Sequence, residues 1–457
     1  MPKKLPPSLP ISAFSPITPP YQSSRQNARR TTPLLVIDTH VLLLLDDKES
    51  IQSGIRLWQQ SVSGLCDRLS EQLSPAITPC SVVDQARTGL NGFIYMHRQP
   101  DYLLRDATFD DQDHGPSSSI QWEKEVQQIM ALNSVQVGFE VCPPLAQVIW
   151  APLGQGPRVL GPYLDHISRA NSRVVACCHL IERPSSRRRH DFSRPDLIES
   201  LKHLGERGLG VELNVEGNHD RSAALILEEI LEIVSAVRNA QELKNETKFV
   251  ICQMGKPEMI SSQSVVPSSA SYSSILSRLF SLSLFSNLHI KLSGLPLLID
   301  DDLTSRAREY YVTYKRPYQS ISLDSLTLEA SNGDDDTVSS VEYRSNDRAQ
   351  GDLAWREVKK RMKFYLEPIL EAFGDHRIMY SSDYPFFGMN DQTEREKSPT
   401  GHYEYQFELY RECLAELGLE NESLDNIFGL NARLSLDCFS ICLKKKTDFL
   451  LFILIYF

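Results

Sequence analysis

Two residues far apart in the chain carry side chains suited to hydrolytic chemistry. Asp383 ends the stretch Ile378-Met379-Tyr380-Ser381-Ser382-Asp383, a short apolar run that reaches two serines and a carboxylate just before Tyr384-Pro385. His40 ends Leu34-Leu35-Val36-Ile37-Asp38-Thr39-His40, a similar run near the start. A carboxylate can take a proton from water, and an imidazole can polarise a carbonyl or hold a metal. Together they have what the opening of an acyl bond needs. Taken alone, Ser-Ser-Asp reads equally well as a turn whose aspartate caps the next segment. What favours chemistry is position, because parallel β/α proteins keep their reacting groups at the carboxyl ends of strands.

The elements that must bring the two together can be read from the apolar pattern. Eight short strand-like runs occur in order, near 34–38, 92–96, 147–151, 173–179, 209–214, 248–252, 287–294 and 377–383. Between them, 121–132, 195–206 and 222–238 repeat apolar residues at helical spacing. Strands alternating with helices point to an α/β chain with a parallel sheet and right-handed crossovers, here a distorted (β/α)8 TIM barrel. Period two puts Asp38 and His40 on one face of the first strand. It also turns His289, Lys291 and Ser293 inward, with Lys291 expected to be buried against a carboxylate. The serine-rich 261–274 and the Asp/Ser-rich 321–351 read as disordered insertions, too poor in apolar groups to offset the cost of ordering.

Bulk properties narrow the function. The 457 residues carry a net charge of -11, which argues against a nucleic-acid binder, since such a protein normally shows a basic stripe. The 9 cysteines include no Cys-x-x-Cys pair, so reduced thiols of a cytoplasmic protein are expected. Residues 1–33 form a basic, proline-rich arm read as disordered, and 437–457 form a tail with an apolar end. That apolar end is far shorter than the roughly 20 residues a bilayer span needs. No Gly-x-Ser-x-Gly elbow, P-loop or dinucleotide fingerprint occurs. The partner this leaves is a small-molecule substrate, without nucleic acid or a transmembrane segment, and with a homodimer left open.

Five short motifs stand in order along the chain: Ile37-Asp38-Thr39-His40, Met254-Gly255-Lys256-Pro257, Lys291-Leu292-Ser293-Gly294, the run to Asp383 and Tyr384-Pro385, and Asn426-Ile427-Phe428-Gly429-Leu430-Asn431-Ala432. In this order they resemble the amidohydrolase-related metal-dependent hydrolases, and most closely the sugar-acid lactonases of rhamnonolactonase type. The resemblance runs from about residue 34 to 436. It implies lactone opening at the carboxyl end of the barrel, with Asp383 as general base on water and His40 polarising the carbonyl. Arg98, His179, Asn214 and Gln253, at the ends of other strands, would bind substrate.

The chain also departs from that pattern. Leu42 stands where the family has its second histidine, and Cys252-Gln253 stands for an Asp-His pair. His40 and Asp383 are then the matched metal candidates, short of the three or four ligands of a zinc site. Cys252 and His179 are candidate replacements. The expected cofactor is therefore none or a single divalent ion such as zinc. Two other functions fit the same motifs: a catalytically impaired paralogue that binds or scaffolds, and a zinc-dependent decarboxylase of the same superfamily.

Overall fold

The structure is a computed structural model that describes residues 35–42, 58, 62, 89–96, 144–170, 173–181, 195–215, 223–242, 246–256, 270–315, 337–384 and 402–435. The terminal arm and tail, the helix expected at 121–132, His97 and Arg98 lie outside these. Eight strands form one sheet: β1 (Leu35–Leu42), β2 (Gly89–Met96), β3 (Pro144–Trp150), β4 (Val174–Ile181), β5 (Gly210–Val215), β6 (Phe249–Ile251), β7 (Leu288–Leu292) and β8 (Ile378–Tyr380). Each pairs in parallel with the next in sequence. A parallel bridge between Val41 and Tyr384 brings the last strand round to the first. The Thr39 hydroxyl donates to the Tyr380 carbonyl at 2.7 Å across the same seam. The result is a nearly closed (β/α)8 barrel, as the alternating pattern implies.

Helices cover the outside: α1 (Pro157–Ala170), α2 (Pro195–Glu206), α3 (Ala223–Ala240), α4 (Ala270–Ser283), α5 (Asp301–Tyr310), α6 (Thr337–Phe373) and α7 (His402–Glu416), then the short α8 (Asn421–Asp425) and α9 (Asn431–Ser435). The reason is visible in the spacing. In α3, Ile226, Leu227, Ile230, Ile233, Val234 and Val237 are buried at intervals of three and four, a stripe that packs on the sheet. Phe249 and Ile251 of β6 and Ile290 and Leu292 of β7 belong to that outer core. Ile37, Ile94, Met96, Val148, Ala176, Val250 and Met379 form a second cluster that fills the lumen. The Asp/Ser-rich stretch read as an insertion is helical from Thr337 onward, as the first part of α6.

The base of β8 is clamped. Arg377 donates to the carbonyls of Ser283 (2.7 Å), the last residue of α4, and Phe285 (3.1 Å) just after it, and to those of Ala372 and Phe373 at the end of α6. One guanidinium thus satisfies orphan carbonyls at two helix ends, where a positive charge is favourable. Asn431 donates to the carbonyls of Asp375 (2.5 Å) and Ile378 (2.7 Å). The fifth motif therefore works as an anchor for the strand that carries Asp383.

Candidate active site

Asp383 lies three residues beyond the end of β8 and sits in the left-handed region, at φ 54°, with its side chain buried. Such backbone costs a non-glycine residue about 1 kcal/mol or more, so the surroundings must hold it there. They do so from three sides. Ser381 donates to Asp383 Oδ1 at 3.3 Å, and Gln253 Nε2 donates to Oδ2 at 2.9 Å. Gly294, after β7, lies so close that a Cβ there would stand 3.3 Å from Oδ2 and 3.6 Å from Gln253 Cγ. Gly294 is also at φ +69°, so glycine suits the position twice over. Gln253 and Met254 themselves sit at φ 52°, in the tight turn Cys252–Gly255 that closes β6. Two strained turns thus face each other across the carboxylate.

His40 approaches from β1. Its Nδ1 lies 3.5 Å from Asp383 Oδ1, near enough for electrostatic contact but without an aligned hydrogen bond, and neither ring nitrogen has a hydrogen-bond partner. Burial pushes the imidazole below its ordinary pKa, and Lys291 adds to this, against the opposing pull of Asp383 and Glu212. The ring is therefore neutral at neutral pH.

Strict alternation would keep Asp38 beside His40, and the structure corrects this. Asp38 pairs with Phe93 but Val41 with Tyr95, so β1 carries one extra residue there, a β-bulge that changes the phase of the side chains. Ile37 fills the lumen, His40 reaches the reacting centre, and Asp38 turns to β8. There its Oδ1 accepts from the Ser382 N–H (3.0 Å) and its Oδ2 from the Ser382 hydroxyl (2.5 Å). Burial raises the Asp38 carboxyl to about 6, in spite of these hydrogen bonds. It is a tie between the first and last strands.

The lumen beneath is polar on one side. Lys291, fully buried, donates to Glu212 Oε1 and to the Thr39 carbonyl, both at 2.6 Å. Burial disfavours the ammonium, but the charge and hydrogen bond of Glu212, with the charge of Asp383, hold its pKa above the ordinary value. Cys252 donates from Sγ to Glu212 Oε2 at 3.5 Å, and burial with the nearby Glu212 charge keeps it a thiol. The lysine expected to meet a buried carboxylate does so. Its partner Glu212 belongs to none of the five motifs, although an acid between Val211 and Leu213 of a buried strand is signal enough.

The other sequence candidates are less central. Asn214 follows Glu212 by two on β5, which puts it on the lumen side, half-buried. His179 pairs in register with Leu213, a residue of the outer core, so it shares the helix-facing side. Arg98 lies outside the described residues.

His40, Glu212 and Cys252 offer ligating atoms within 4.8 Å of one another, a donor set that a zinc-class ion could use. As they stand they do not fit one. Glu212 gives one oxygen to an ammonium and the other to a thiol, and that ammonium already stands beside the cluster.

No protein family and no curated protein matches the chain. Among solved structures, an amidohydrolase from Burkholderia multivorans with bound HEPES is 14% identical with a TM-score of 0.48, covering 88% of this chain and 99% of its own. A putative 2-pyrone-4,6-dicarboxylic acid hydrolase from Pseudomonas putida is 15% identical with a TM-score of 0.43, covering 89% and 99%. The 2,6-dihydroxybenzoate decarboxylase from Rhizobium is 10% identical with a TM-score of 0.39, covering 89% and 99%. At these values the likeness carries no argument about activity. The barrel stands on its own strand order.

Proposed function

We propose that the protein is a hydrolase that opens a small carboxylic ester, of the sugar-acid lactone class, by attack of water. The observation that carries this reading is the convergence of Asp383 and His40, both buried, at adjoining strand ends, with both imidazole nitrogens unengaged. In the proposed step Asp383 takes a proton as the water oxygen bonds to the carbonyl carbon. Neutral His40 donates to the carbonyl oxygen as it gains charge. Collapse of the tetrahedral intermediate breaks the ring C–O bond, and the leaving alkoxide receives the proton. Gln253 orients Asp383 through Nε2 and keeps Oε1 available to a substrate hydroxyl. Asn214, on the lumen side of β5, and Arg98 are the candidates for substrate contact, and His179, on the helix-facing side, is not one.

The test is a panel of aldonolactones assayed against purified protein and Asp383→Asn, with carboxylated aromatics alongside and evolved carbon dioxide as the readout of decarboxylation. Lactone opening by the wild type and loss in the variant support the reading. Carbon dioxide without lactone opening replaces it with the decarboxylase. No turnover on either set replaces it with the non-catalytic binding protein.

A further inference from the structure

The polar side of the lumen assembles a histidine, a glutamate and a cysteine at the spacing of a metal cage, with an ammonium bound to one of the three. We infer that Lys291 is the resident cation of this cluster: its ammonium takes the charge position that a zinc-class ion would otherwise fill, and keeps such ions out.

Three observations carry this. Both Glu212 oxygens are committed, Oε1 to Lys291 at 2.6 Å and Oε2 to Cys252. Lys291 has nowhere else to go, because it is fully buried and its other bond is to the Thr39 carbonyl in the bulged part of β1. A bulge frees backbone groups from the ladder, and the lysine takes one of them. His40 meanwhile is 1% exposed with both nitrogens unpartnered, so the cluster holds an idle ligand. A divalent ion at the three donors would have to share Glu212 with an ammonium in a medium of low dielectric, where like charges repel strongly. Ammonium and metal are therefore alternatives. Removing the ammonium should expose a working mixed N/O/S site.

The inference does not depend on the hydrolase reading, and its test reads metal rather than turnover. Full-length wild type and Lys291→Met, freed of metal with chelator and dialysed, are titrated with Co²⁺ and then Zn²⁺. Bound metal is counted after gel filtration, and the thiolate-to-cobalt absorption is recorded. The wild type is expected to stay substoichiometric and without the thiolate band. Lys291→Met is expected to take one equivalent, to show the band, to lose it when Cys252→Ser is added, and to melt at higher temperature with metal than without. A wild type that binds a full equivalent with a thiolate band overturns the inference, as does a folded Lys291→Met that binds none. Should the buried, unpaired Glu212 prevent Lys291→Met from folding, Lys291→Gln supplies a neutral donor in its place and is judged by the same criteria. If neither variant folds, the wild-type titration decides alone.

Discussion

At the scale of single residues, the site depends on groups that hold Asp383 as much as on Asp383 itself. Asp383→Asn is expected to lower kcat by about 10²–10⁴-fold, the range of a lost general base. Equal turnover in the variant would remove the carboxylate from the mechanism. Gly294→Ala tests the support. Its methyl group would press on Asp383 Oδ2 and Gln253, from a backbone conformation that resists any Cβ. Both activity and about 1–2 kcal/mol of stability should fall. Ser382→Ala would deprive buried Asp38 of its hydroxyl donor and the Tyr384 N–H of its acceptor, leaving Asp38 the backbone N–H groups of Ser382 and His40, at a cost of about 1–3 kcal/mol in denaturant unfolding. A neutral result there would mean that the β1–β8 tie does not hold the seam.

At the scale of elements, the same eight strands can be read twice, from the apolar runs and from the sheet. All eight runs became strands because short β-branched segments between helical stretches have few other ways to bury themselves. The lumen was less legible. Period two reveals which residues of β7 point inward, and so Lys291. It cannot reveal a one-residue bulge in β1, which sends the Asp38 and His40 side chains to different partners although the His40 N–H still donates to Asp38 Oδ1, and which follows from pairing with β2. Nor does an Asp/Ser-rich composition disclose that 337–351 would join α6. That helix is held to α7 by contacts made far downstream: Lys359 donates to Glu412 at 2.8 Å, and Lys359 and Lys363 donate to Glu416, while Lys315, from the turn that follows α5, joins Glu412 at 2.5 Å. The base of β8 offers the sharpest test at this scale. Arg377→Met would strand carbonyls at the ends of both α4 and α6, and should cost about 2 kcal/mol, more than Lys360→Met on the exposed side of α6. Equal effects of the two substitutions would show that Arg377 is not the clamp.

At the scale of the molecule, burying ionisable groups inside a closed barrel makes stability depend on pH. His179 and His289 are both pushed down to about 4, chiefly by burial, and at His289 Lys248, Arg377 and His376 add repulsion. Below the ordinary histidine value of 6.5 the unfolded chain binds these protons and the folded one does not, so their contribution is full above 6.5 and is lost as pH falls toward 4. Asp38 acts the other way. Raised to about 6, it is protonated in the fold between roughly 3.8 and 6 while the unfolded carboxyl is not, which favours the fold as pH falls through that window. Glu412 shows the balance of opposing effects in one group: burial would raise its carboxyl, but Lys315 and Lys359 bring it down to about 2. Its contribution is present above 4.5 and drains away below. His179 and His289, with His40 lowered in the same direction, outweigh one aspartate, so the melting temperature should hold steady above pH 6.5, fall between 6.5 and 4, and fall further below 4.5 as Glu412 joins. Melts at pH 7.5, 5.5 and 4.5 read this directly. His289→Asn should flatten the middle of the curve without altering its lower end, because Glu412 lies on the α6–α7 seam outside the lumen. A protein that gained stability on acidification from 6.5 to 4 would show that the charges within the barrel, and not the imidazoles, govern its response.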